Sequence, residues 1–176
     1  MNKKLIRHHK LYRATWDMDI YFMYKVNNIL KKKVNGKLLF KNLDNSETKE
    51  ELIAKAFILS NLSSMDPWEF GEYNTPEKAK EIYDNVIDLL PTVLSAKEEI
   101  ELSKWMYECS VEYLKSASKI VDLEYYSFEY KGEKKTQREL TKDLIQLSKL
   151  AYEDYSGYRF KELMELWKII HRVTWW

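Results

Sequence analysis

Two pairs of carboxylates in this 176-residue chain have the spacing that divalent-cation chemistry asks for, Glu47 with Glu50 and Glu81 with Asp84. Residues three apart are neighbours on a helix face, and hard cations such as magnesium are held by oxygen ligands. The other chemically capable groups are scattered. Three histidines (His8, His9 and His171) and one cysteine, Cys109, are the whole nitrogen and sulfur inventory for a metal. Neighbouring helical positions diverge by about 100°, so His8 and His9 do not readily ligate one ion together, and no HExxH or Cys-rich spacing occurs. Four glycines in the whole chain leave no glycine-rich phosphate loop, and nothing resembles a nucleophile elbow. The expectation is a protein with no catalytic site, no cofactor and no metal centre.

The carboxylate pairs resemble the ExxE and ExxD motifs of helical nucleoside-triphosphate pyrophosphatases of the MazG and dimeric dUTPase kind. The resemblance covers only Glu47, Glu50, Glu81 and Asp84, and it implies a magnesium-dependent nucleotide pyrophosphatase as a second alternative. The chain departs from the pattern in two ways: Glu47 falls at or before the start of its helix, and the two pairs stand further apart than in that family. No arginine precedes a histidine by four to six residues, so the motif of HEPN-type helical ribonucleases is absent.

Charge is the strongest asymmetry. The net charge is only +1, but residues 1–41 carry eleven Lys or Arg against Asp17 and Asp19, a net of +9. Residues 42–130 carry a net of −11, and residues 131–176 a net of +3. In the basic segment Lys3, Lys4, Arg7, His8, His9, Lys10 and Arg13 surround Tyr12 and Trp16, and Lys31, Lys32 and Lys33 follow at the far end of the same expected helix. Cations neutralise phosphates and flat rings stack on bases, so this segment is the candidate partner-binding or nucleic-acid-binding surface. The plainer reading puts Tyr12 and Trp16 in the core and the three lysines at a helix C-terminus, where the dipole favours cations. Glu77, Glu81, Asp84 and Asp88 recur at i, i+4, i+7 and i+11, opposite Ala79, Ile82, Val86 and Leu89. That acidic face is either solvated or a docking surface for a basic partner, the protein's own N-terminal segment included. At the carboxyl end, Trp175 and Trp176 are a candidate aromatic anchor, the residue type that dominates interface hot spots.

The elements that position these residues are marked by helix starts. Ser, Thr or Asp followed three residues later by Glu satisfies orphan amides of a first turn, and this occurs at Thr48 with Glu51, Asp66 with Glu69, Ser95 with Glu98 and Thr136 with Glu139. Thr75 before Pro76 is a fifth start. The pattern breaks at Asn35-Gly36, Gly71, Pro91, Lys131-Gly132 and Ser156-Gly157. Helices are expected over 9–34, 48–62, 67–71, 76–90, 96–124, 137–155 and 158–173. Residues 37–43 read as extended or helical, and Tyr126, Phe128 and Tyr130 alternate as one arm of a hairpin turning at Lys131-Gly132. On the helix from Ser95 a narrow polar stripe (Glu101, Lys104, Glu108, Glu112, Lys115, Lys119, Asp122) leaves Trp105, Leu114 and Ile120 among the expected core residues.

The fold class is therefore all-α: a single-domain bundle of five to seven helices around a long central helix at about 96–124, with one small hairpin near 126–136. Low Gly and Pro and 45% hydrophobic residues argue against disorder. One cysteine allows no internal disulfide, the basic N-terminus is followed by no apolar run of signal-peptide length, and the stretch 20–24 falls far short of the roughly 20 apolar residues of a membrane span. A cytoplasmic protein that does not enter the membrane is expected. Twenty-four lysines against five arginines is the usage of an AT-rich genome, so a phage- or mobile-element-encoded inhibitor acting in the host cytoplasm is one form of the leading expectation. That expectation is a non-catalytic helical binding protein that occupies a surface of a protein or nucleoprotein complex. A nucleic-acid binder using the basic N-terminal segment is the first alternative.

Overall fold

Local capping chemistry starts each helix whose first turn is seen in full. The computed structural model describes residues 18–34 and 76–171, which form five helices and one two-stranded hairpin. Helix α1 spans Met18–Val34 and α2 spans Pro76–Val93, with proline at the first position as expected. Helix α3, Ala96–Ala117, starts at a complete capping box: the Ser95 N–H donates to Glu98 Oε2 (2.8 Å) and the Glu98 N–H to Ser95 Oγ (3.4 Å). Strands β1 (Ser127–Tyr130) and β2 (Glu133–Thr136) pair antiparallel around Lys131-Gly132. Both turn residues have positive φ, 51° and 77°, as a tight two-residue hairpin loop demands. Thr136 then caps α4, Gln137–Glu153, through a second capping box with Glu139. Ser156 caps α5, Gly157–Ile170, by accepting from the Arg159 N–H. The mostly helical class and the hairpin are as read from the sequence. The expected helices at 48–62 and 67–71 and the stretch 37–43 lie outside the described residues.

Two helix boundaries and several burials differ from the sequence reading. Helix α2 does not stop before Pro91 but runs two residues beyond it, and the Leu94 N–H still bonds to the Leu90 carbonyl at 3.0 Å. Proline costs one bond there, while Val93 and Leu94 beyond it are fully buried, and their burial offsets the loss. Leu89, expected on the buried stripe of α2, is 37% exposed; Val86 is buried as expected, and Ile87 and Leu90 are buried with it. Helix α3 ends at Ala117, seven residues short of the expected 124, where the N–H groups of Lys119 and Ile120 turn back to Ser116 and Ala117 three residues earlier. Ile120, expected in the core, is therefore off the helix and 68% exposed, while Trp105 and Leu114 are half-buried.

The chain divides into two compact units, Met1–Phe22 with Ile100–Trp176, and Met23–Glu99. In the second, Val26, Ile29 and Leu30 of α1 and Val86, Ile87, Leu90 and Val93 of α2 are buried at helical spacing. In the first, Leu102, Met106, Cys109, Tyr113 and Ala117 form the buried stripe of α3. Helices α4 and α5 pack on one another, β2 lies against α4 and β1 against α5. Within this unit Phe22, in the first turns of α1, meets Trp167 of α5 (5.3 Å between centroids) and Trp105 of α3 (6.3 Å). The Gln137 amide donates to the buried Tyr113 hydroxyl at 2.6 Å, joining the last turns of α3 to the first turn of α4.

Candidate docking surface

Between α3 and β1 the chain runs through turns, and its backbone is fastened to the start of α4. A helix leaves its first N–H groups without internal partners. Here the Gln137 N–H donates to the Tyr126 carbonyl and the Arg138 N–H to the Leu123 carbonyl, both at 3.0 Å, while the Glu139 N–H bonds to Thr136 Oγ1 at 3.3 Å. Three orphan donors of α4 thus hold this connector and the hairpin root. Leu123 is fully buried and plugs the connector into the fold. Asp122 Oδ1 accepts from the Glu124 N–H at 2.9 Å and shapes the turn from within. The Arg138 Nε donates to Glu124 Oε1 at 2.6 Å, and this bond holds the Glu124 carboxyl below its ordinary range.

On this frame three large apolar side chains face water among the charged ones. Ile120 is 68% exposed, Tyr125 75% and Tyr126 46%, and the two tyrosine rings meet edge to face at 5.0 Å. Arg138 pairs with Glu124, and Lys134 stands opposite Glu129 in the hairpin register. The connector's backbone is held by the first turn of α4, and it displays one aliphatic and two aromatic side chains. The sequence carried one signal for it. That signal is the doublet Tyr125-Tyr126 at the foot of the alternating arm, just before β1 begins. Ile120 gave no such signal, because it continues the apolar spacing of α3.

Most residues singled out from the sequence lie elsewhere. Lys3, Lys4, Arg7, His8, His9, Lys10, Arg13, Glu47, Glu50, Trp175 and Trp176 lie outside the described residues. Lys31, Lys32 and Lys33 occupy the last turn of α1, as read, and Lys32 is exposed. The positions of Glu77, Glu81, Asp84 and Asp88 fall within one unbroken helix, α2, which their spacing needs in order to share a face; Asp88 is exposed and Asp84 half-buried. Among the described residues no group of three or more His, Cys, Asp or Glu is placed to hold a metal ion. His171 is buried against the Trp167 ring at 6.0 Å. Cys109 is buried and free, and burial, with Glu112 and Glu108 nearby, pushes its thiol up and away from the reactive thiolate. Among the described residues no helix is long and apolar enough to cross a membrane. No protein-family model, curated protein or solved structure matches the chain.

Proposed function

We propose that the protein is a non-catalytic binding protein that docks on a protein or nucleoprotein complex through the Ile120–Tyr126 connector. The observation that carries this reading is the exposure of Ile120, Tyr125 and Tyr126 on a backbone held by the first turn of α4. Tyrosine is enriched where interfaces gain most of their energy, and a surface ordered before binding loses less entropy on binding. Residues 119–126 carry one lysine against Asp122 and Glu124, which favours a protein partner here over nucleic acid, whose binding depends on an excess of cations facing phosphates. An inhibitor of a host system, encoded by a phage or mobile element, is the specific form that the lysine-rich composition suggests.

Comparative affinity capture from the source cell tests this. The wild type should enrich one protein or complex that the Ile120→Ser, Tyr125→Ser, Tyr126→Ser triple variant loses; equal recovery by both removes this surface from the proposal. Nucleic-acid binding through residues 3–13 is the second reading, favoured by the +9 charge of residues 1–41. On that reading, reversing Lys4, Arg7 and Lys10 to Glu flattens the salt dependence of binding by roughly 0.7 to 0.9 in log-log slope per lost contact. Magnesium-dependent hydrolysis of a nucleoside triphosphate that disappears on Glu81→Gln with Asp84→Asn would replace both readings.

A further inference from the structure

The hairpin is attached in two different ways along its length. Its root is fixed by backbone bonds, the Tyr126 carbonyl accepting from the Gln137 N–H and Thr136 capping α4. Its arm is held by side chains. Lys131 at the turn pairs with Glu162 of α5, and Lys135 of β2 pairs with Asp143 of α4 at 2.7 Å. Beneath them lies the Tyr130 ring, with the Lys131 ammonium 5.3 Å and the Lys135 ammonium 5.8 Å from its centroid. No residue from Glu124 to Thr136 is fully buried; Phe128 and Tyr130, on the inward face, are half-buried, and Ser127, Glu129 and Lys134 are exposed. Opening the arm therefore uncovers the Phe128 and Tyr130 rings but no fully buried residue, and an isolated two-stranded hairpin is marginal in water.

We infer that the β1–β2 hairpin is a strap that opens as a unit about Tyr126 and Thr136 while the helices stay folded, and that its latch is the lysine pair closing on Asp143 and Glu162. Opening releases both lysines and both carboxylates together and uncovers the sides of α4 and α5 on which the strands lie. The latch is electrostatic and each member keeps part of its surface in water, Lys131 the most at 61%, so salt weakens it. The inference does not depend on the docking role of the connector.

Hydrogen exchange of the full-length protein, normalised to intrinsic rates, tests it. At 0.05 M salt the strand amides of β1 and β2 should exchange well before those of α4 and α5. Raising the salt to about 0.5 M should speed the strand amides about three- to tenfold and leave the two helices unchanged. Lys131→Met with Lys135→Met, which keeps the aliphatic stems, should give fast strand exchange at low salt with the salt response gone. Strand amides that exchange only with the buried amides of α4 would overturn the strap, and a salt response that persists in the double variant would overturn the latch.

Discussion

The segment Glu124–Thr136 buries no residue completely, whereas α4, which follows it directly, buries Gln137, Leu140, Thr141, Leu144, Ser148 and Ala151. Both regions are charged, both carry apolar side chains, and a capping box marks the border between them. They differ in what the apolar groups meet. In α4 they recur at helical spacing and close on α5; in the connector and hairpin only Leu123 is driven home, and the rings of Tyr125 and Tyr126 stay in water. One region holds the fold and the other is displayed by it, so substitutions in the two should separate stability from binding.

The largest effect is expected at the aromatic cluster. Trp167→Ala removes a fully buried ring from Phe22 and should cost about 3 to 5 kcal/mol in urea titration, while Tyr125→Ala should stay within about 0.5 kcal/mol. Comparable losses at the two positions would erase the contrast. A sharper version lies within the connector: Leu123→Ala should cost about 2 to 5 kcal/mol and Ile120→Ala less than about 0.5 kcal/mol, although the two stand three residues apart.

Next in size is the buried hydrogen bond between α3 and α4. Tyr113→Phe removes the hydroxyl that accepts from the Gln137 amide and should cost about 1 to 3 kcal/mol. Burial pushes the Tyr113 hydroxyl up to about 12, with the Gln137 bond acting in the opposite sense. The folded state thus keeps a proton that the unfolded chain releases near pH 10, so this contribution is complete below about pH 10 and is lost as the pH rises through about 12. Equilibrium unfolding between pH 9 and 12 should show a shallower alkaline decline in Tyr113→Phe; the buried Cys109 thiol, also pushed up, keeps part of the slope in both proteins.

What the sequence disclosed follows from which forces are local. The capping boxes at Ser95 and Thr136 and the hairpin turn at Lys131-Gly132 are set by a few adjacent residues, and they could be read. The end of α3 could not. Ile120 and Val121 continue its apolar spacing, and the chain leaves the helix because Leu123 enters the core and its carbonyl meets the Arg138 N–H, a contact fifteen residues away in sequence. Pro91 misled in the opposite direction, since the burial of Val93 and Leu94 outweighs one missing bond. The candidate site was hidden for the same reason: exposure of an apolar side chain depends on what tertiary packing leaves uncovered. The charge asymmetry was legible, but its basic part lies largely outside the described residues.

The smallest effect separates the frame from the rings it displays. The Arg138 bond holds Glu124 ionised, so its contribution is present above the ordinary carboxylate range and is lost as the pH falls through the lowered folded value. Hydrogen exchange of the Leu123–Tyr126 amides should rise on acidification below about pH 4 in the wild type, after correction for intrinsic rates, and Glu124→Gln should show the faster exchange already at neutral pH.

The central claim is that the connector is the surface a partner meets. Site-specific photo-crosslinking in the source cell tests it most directly, with a benzophenone side chain placed at Tyr125 in one protein and at Lys142, exposed on α4, in another. A discrete adduct from position 125 that is absent from position 142 is the predicted result. No adduct at 125, or the same adducts from both positions, would contradict the account.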